Sequence, residues 1–294
     1  MSAGRRGMLG WGAALASSSV LGGCSIGGIL STLTDDGGAR LIADQAYGDD
    51  PRQRLDIYQP VTGTKWPIVM FFYGGSWNDG SRATYRFVGE ALAAQGILVV
   101  IPDYRVYPQV RYPDFLRDCA AATGWTMRHL ARSGADPERL ILAGHSAGAY
   151  NAAMLALDPR WLDATVAQGP TGRLRPAAWI GLAGPYDFLP IGNPDVKPVF
   201  FHPAYPAGSQ PIDYAAAGTP PCFLAAPRDD ELVDPDRNTG QLASKLRRAS
   251  VPVQERRYDS VGHMTLIGAF AGPLTWKAPV REDVVAFIRA QAGS

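Results

Sequence analysis

The sequence has almost no excess charge of either sign: 28 Lys and Arg against 27 Asp and Glu leave +1 over 294 residues. Nucleic-acid binders gather positive charge into a stripe or patch, and without one nucleic acid is excluded as a partner. The short cluster Lys245 to Arg248 reads as the solvated basic end of a helix. Cysteine is scarce too, with three in the chain, which excludes a disulfide framework. No apolar run has the length and purity of a membrane-spanning helix. The nearest, Gly7 to Gly23, is short and carries three serines. No internal repeat is present, so solenoids and propellers are excluded. With four histidines in all, few groups can act as a general base near neutral pH. What remains is an ordinary globular composition, 46% hydrophobic and 19% charged, long enough to bury a sizeable core.

The amino terminus stands apart. Arg5-Arg6 precedes the small-to-apolar run to Gly23, and Leu21-Gly22-Gly23-Cys24 closes it. A basic start, an apolar middle and a small-residue end read as an export signal over residues 1–24. Leu-Gly-Gly-Cys resembles the bacterial lipobox, in which the cysteine is lipidated and becomes the new first residue. Arg5-Arg6-Gly7-Met8-Leu9 also resembles a twin-arginine export motif. The expectation is an exported protein, periplasmic or anchored to the outer membrane through lipid on Cys24. Residues 25–45, rich in Gly, Ser and Thr, read as a tether. Cys119 falls in a helical pattern and Cys222 opens an apolar strand, so two separate buried thiols are expected.

From Ala46 to Ser294 the chain reads as one domain. Arg54 to Tyr58 alternates like a half-buried strand, whereas Ile68 to Tyr73 and Ile97 to Ile101 are continuous apolar runs of the fully buried kind. Further strands are expected at Arg139–Ala143, Trp179–Ala183, Cys222–Ala226 and Val253–Tyr258. Helices are expected over 84–95, 113–132, 147–157, 236–250 and 280–290. This alternation predicts an α/β fold with a mainly parallel sheet and helices on both faces. Residues 184–221 break the rhythm, dense in Pro and aromatics. A stretch that long is seldom idle in a compact domain, and is expected to fold over the sheet's carboxyl edge as a lid or pocket wall.

Two stretches satisfy G-x-S-x-G: Gly144-His145-Ser146-Ala147-Gly148 and Gly23-Cys24-Ser25-Ile26-Gly27. The second falls inside the processing site, which disposes of Ser25. Ser146 instead joins the strand-like Leu140 to Ala143 to the helix-like Ala147 to Leu157. A serine on so sharp a turn needs small neighbours and sits above a helix amino terminus, where unpaired N–H groups favour developing negative charge. A serine hydroxyl also needs a base and a group to orient it. His263 follows the last strand on a Gly-marked loop, unlike His129, His145 and His202. The acid is expected after the preceding strand, in Arg228-Asp229-Asp230-Glu231-Leu232-Val233-Asp234. Asp230 is preferred, with Leu232-Val233 anchoring the loop; Asp234 and Asp229 stand behind it. Gly74, Gly75 and Ser76 end a buried strand, where their N–H groups and that of Ala147 can form an oxyanion hole.

These residues carry a resemblance. Arg54-Leu55-Asp56-Ile57-Tyr58, Gly74-Gly75-Ser76-Trp77, Pro102-Asp103-Tyr104-Arg105, Gly144 to Gly148, Asp230 with Leu232-Val233, and Gly262-His263 resemble, in order, the α/β-hydrolase superfamily. The chain looks closest to the carboxylesterases related to hormone-sensitive lipase and to the arylformamidases. The resemblance implies the α/β-hydrolase fold, a triad of Ser146, Asp230 and His263, and hydrolysis of small carboxylic esters without metal or cofactor. Those relatives usually carry histidine where this chain has Tyr73. The tyrosine hydroxyl can still bond the oxyanion loop, while its longer ring would narrow or reshape the pocket. Two other readings stand beside this one: an arylformamidase or peptidase-type amide hydrolase, and a catalytically inactive surface binding module.

Overall fold

The computed structural model describes residues 38–130, 134–165 and 174–292. The export signal, Cys24 and most of the expected tether lie outside these residues.

Eight strands form one sheet in the order β1-β2-β4-β3-β5-β6-β7-β8. They are β1 (Ala39–Ala46), β2 (Arg54–Pro60), β3 (Trp66–Phe72), β4 (Leu98–Pro102), β5 (Ala135–His145), β6 (Ala178–Leu182), β7 (Cys222–Pro227) and β8 (Val253–Tyr258). The first two run antiparallel to their neighbours and the rest are parallel. Every residue of β3, β4, β6 and β7 is buried. A strand with no exposed side is covered on both faces, as the unbroken apolar runs predicted.

The helices are α1 (Arg86–Ala93), α2 (Asp114–Leu130), α3 (Ala147–Leu157), α4 (Arg160–Asp163), α5 (Gln241–Arg248), α6 (His263–Gly268) and α7 (Val280–Ala292). All eleven residues of α3 are buried, so it is a core helix and has no polar face to show. Helix α5 is the opposite case. Leu242, Ala243 and Leu246 face the core, and its basic end finds partners: Lys245 Nζ donates to Ile212 O (2.7 Å) and Arg247 pairs with Glu255 (2.8 Å). Arg247 and Arg248 are exposed, as the solvated end of a helix should be, while Lys245 and Arg247 also tie it to neighbouring segments.

One boundary needs correction. The expected tether, 25–45, ends in strand β1, which pairs with β2 from Ala39 against Pro60 to Ala46 against Arg54. Its burial alternates only weakly because it is the sheet's outer strand, so its sequence reads as polar linker. Cys119 and Cys222 are buried and free, as two separate thiols.

Strand order fixes where chemistry can occur. After β3 the chain crosses to β4 on one side, then returns to lay β5 on the other. At such a reversal the loops leaving neighbouring strand ends diverge and open a crevice at the carboxyl edge. Phe72 of β3 pairs with Gly144 of β5, so the Gly-Gly loop and the G-x-S-x-G turn leave the sheet side by side.

Candidate active site

Ser146 lies between β5 and α3 with φ 55° and ψ −122°, in a region that residues with a Cβ seldom occupy. The turn is sharp enough to bring backbone against backbone. A Cβ on Gly144 would stand 2.2 Å from Gly148 O, and one on Gly148 would stand 2.0 Å from Phe72 O. Both glycines are therefore required by close approach. The Ser146 N–H donates to Leu182 O (2.8 Å), pinning the turn to the end of β6.

His263 is the first residue of α6, just past β8, and its side chain is nearly buried. Its Nε2 lies 2.8 Å from Ser146 Oγ and its Nδ1 lies 2.8 Å from Asp230 Oδ2. An ionised carboxylate only accepts, so Nδ1 carries the proton and Nε2 accepts from the serine hydroxyl. Asp230 Oδ1 accepts from the N–H of Leu232 (2.9 Å) and of Val233 (3.1 Å). Burial pushes the Asp230 carboxyl up. The bond to His263, its charge and the two N–H donors outweigh that, and the group ends below the usual carboxylate range. Asp234 turns elsewhere: its Oδ1 accepts from the N–H of Asp236 and Arg237. The reason foreseen for Asp230 needs correction, because Leu232 is 71% exposed and anchors nothing by burial. The loop is held by hydrogen bonds to the carboxylate itself.

The oxyanion expectation divides. Among the described residues, the N–H groups of Gly75, Ser76 and Ala147 have no acceptor within the protein, and Ser76 and Ala147 line the cavity. Ser76 (φ 53°) and Trp77 (φ 57°) hold left-handed backbone in succession, a strain typical of functional loops. Gly74 does not belong with these donors. Its N–H donates to the Tyr85 hydroxyl (3.2 Å), and what requires glycine there is space, since a Cβ would lie 3.0 Å from Ser146 Cβ.

Tyr73 corrects both expectations: its hydroxyl makes no bond to the oxyanion loop itself, and reaches it only through Arg52. Its hydroxyl accepts from Arg52 Nη2 (2.9 Å), and the same nitrogen donates to Gly80 O (2.8 Å), so one guanidinium clamps both ends of the loop. The ring stacks on Tyr104 at 4.6 Å and takes no part in lining the cavity, so it does not narrow the pocket.

The cavity above Ser146 and His263 has a volume of about 390 Å³. Pro185, Phe188, Pro190, Ile191 and Val196 supply much of its apolar wall, so the first part of the excursion, 185–196, walls the pocket, while none of residues 197–221 lines it. Trp77, stacked on Phe188 at 6.0 Å and bonded through Nε1 to Asn151 Oδ1 (3.0 Å), makes a rigid boundary. Among the described residues there is no cluster of three metal-ligating side chains, and no helix is long and apolar enough to cross a membrane.

Two residues with no role expected from the sequence complete the surroundings. His145 is buried without exposure; its Nδ1 lies 2.9 Å from the Tyr85 hydroxyl and its Nε2 lies 3.0 Å from His263 O. No sequence signal singles out Tyr85, which precedes α1 and lies 60 residues from its partner.

Fold and site together define an α/β-hydrolase whose serine, histidine and aspartate form one hydrogen-bonded line beside unclaimed backbone donors. The chain belongs to the BD-FAE family, whose model matches residues 55–246. Among relatives, the probable isoprenylcysteine alpha-carbonyl methylesterase ICMEL1 of Arabidopsis thaliana is 29% identical over 240 residues, covering 75% of this chain and 50% of that protein. Esterase LipC of Mycobacterium tuberculosis is 29% identical over 245 residues, covering 77% and 58% respectively. The chain spans about half the length of the curated relatives it matches. Among solved structures, a truncated carbohydrate esterase from gut microbiota superposes with a TM-score of 0.72 at 18% identity, covering 88% of this chain and 99% of that one. The apo form of Thermogutta terrifontis esterase 2 gives 0.70 at 22%, covering 87% and 96%. At such identities the likeness speaks to the fold.

Proposed function

We propose that this protein is a serine carboxylesterase that hydrolyses small carboxylic esters through an acyl-enzyme. The observation that carries the reading is the unbroken line Ser146 Oγ, His263 Nε2, His263 Nδ1, Asp230 Oδ2, with 2.8 Å at each hydrogen bond. His263 Nε2 takes the hydroxyl proton as Ser146 Oγ bonds to the acyl carbon. The carbonyl oxygen gains negative charge, and the N–H groups of Gly75, Ser76 and Ala147 receive it. Asp230 stabilises the imidazolium. His263 then returns the proton to the departing alkoxide, and the Ser146 ester remains. Water repeats the sequence: His263 takes its proton, its oxygen bonds to the acyl carbon, and Ser146 leaves with a proton restored. A cavity of about 390 Å³ walled by Trp77 and Phe188 favours a short acyl group.

The test is a panel of p-nitrophenyl esters from acetyl to decanoyl with matched anilides, alongside labelling by a fluorophosphonate. The expected result is labelling of Ser146, fastest turnover of the acetyl and butyryl esters, and slow turnover of the anilides. Absence of labelling rejects the reading, and anilides cleaved as fast as esters assign an amide hydrolase instead.

We also propose export and anchoring through a lipidated Cys24, supported by the run from Arg5 to Cys24. Intact mass of membrane-extracted protein from a bacterial host is expected to start at Cys24 and carry a diacylglyceryl group. A different start with an unmodified thiol rejects the anchor.

A further inference from the structure

The loop bearing the oxyanion donors and the helix bearing the general base come from opposite ends of the domain. One chain of hydrogen bonds crosses between them, and each of its atoms is buried. Gly74 N–H donates to the Tyr85 oxygen (3.2 Å). The Tyr85 hydroxyl lies 2.9 Å from His145 Nδ1, and His145 Nε2 lies 3.0 Å from the main-chain oxygen of His263.

The proton positions follow from the partners. A backbone carbonyl can only accept, so His145 Nε2 carries hydrogen. In the neutral ring Nδ1 is then bare and must accept, and Tyr85 supplies its hydroxyl hydrogen. That leaves the Tyr85 oxygen free to accept from Gly74. Every donor points the same way, from the loop to the base. Protonating Nδ1 would turn it into a donor and strip the buried tyrosine hydrogen of its acceptor. Burial, and next the neighbouring His263, push the His145 ring down to about 3, against the opposing pull of the His263 carbonyl and Asp230.

We propose that Tyr85 and His145 are positioning residues, a neutral relay in a fixed tautomer that holds the oxyanion donors and the catalytic imidazole in register across Ser146. Fixing Gly74 by its N–H sets the direction in which the next two N–H groups leave the loop. Fixing His263 by its carbonyl sets the first turn of α6, and with it the reach of the imidazole to Ser146. The ring doing both belongs to the residue just before the nucleophile, so all three parts share one reference point. This proposal rests on the esterase reading of the site and concerns how it is held.

Tyr85→Phe removes one hydroxyl and keeps the ring, leaving the Gly74 N–H and His145 Nδ1 without partners. The expected result with p-nitrophenyl acetate is a fall in kcat of about tenfold to a hundredfold with KM within about twofold, because the loss concerns charge that develops after binding. A role in stability alone would lower the melting temperature and leave kcat of the folded protein unchanged, which overturns the proposal. The second measurement needs no variant. Nitrogen-15 spectra of the unaltered protein, with the ring assigned through the Ser146 backbone, are expected to show His145 neutral and protonated on Nε2 from pH 8 to pH 5. A ring protonated on Nδ1, or titrating like a free histidine, overturns the relay even if Tyr85→Phe does not fold. An unaltered protein that turns over no ester and takes up no fluorophosphonate sinks the esterase reading and the relay with it. An active parent beside an indifferent Tyr85→Phe sinks the relay alone.

Discussion

Replacing Ser146 with alanine is expected to lower ester turnover by about six orders of magnitude and to leave the melting temperature close to its original value. Loss of activity follows because no other hydroxyl lies within hydrogen-bond reach of His263 Nε2 among the described residues. Stability is spared for three structural reasons. The Ser146 side chain caps nothing at the start of α3, so no capping bond disappears. Its one hydrogen-bond partner is His263 Nε2, which borders the cavity and can turn to water. Its backbone strain is set by the turn and is carried equally by alanine. The change in stability is therefore within about 1 kcal/mol. Steady-state kinetics and a thermal melt check both halves, and turnover within a hundredfold of the parent would remove Ser146 from the mechanism.

The second large effect separates two acids. Asp230→Asn is expected to lower kcat by about ten-thousandfold, whereas Asp234→Asn is expected to stay within about threefold. The difference follows from what each carboxylate already accepts. Leu232 and Val233 N–H groups bond Oδ1 of residue 230, so the asparagine oxygen takes that place and its NH2 faces His263. His263 Nδ1 must then accept, its proton moves to Nε2, and the nitrogen facing Ser146 can no longer act as a base. At position 234 the oxygen that accepts from Asp236 and Arg237 survives the change to asparagine. Parallel kinetics decide the matter. A larger loss at 234 than at 230 would reassign the acid.

The parallel strands were legible because complete burial writes continuous apolar runs, as at Ile68 to Phe72 and Leu98 to Ile101. Strand β1 was not, since an outer strand bonded on one side needs no apolar pattern and Ala39 to Ala46 shows none. That Ser146 and His263 meet at one edge of the sheet could be read from chain order, because each stands next to a recognisable strand end. The role of Gly74 could not, because whether an N–H is free depends on Tyr85, which the sequence does not place. The same holds for Arg52: nothing in its neighbourhood shows that it reaches Tyr73 and Gly80. Local pattern reports burial and turns. Bonds between distant residues report themselves only once the chain is folded.

The buried cysteines bear on how the protein is made. Burial raises the Cys119 thiol and pushes Cys222 up to about 12, so neither is a ready nucleophile for oxidants or thiol exchange. Neither is paired, and the core closes around Cys119 on α2 and Cys222 on β7 as it would around alanine or valine. Among the described residues no disulfide holds the fold together, so reducing agent is expected to leave its melting temperature unchanged.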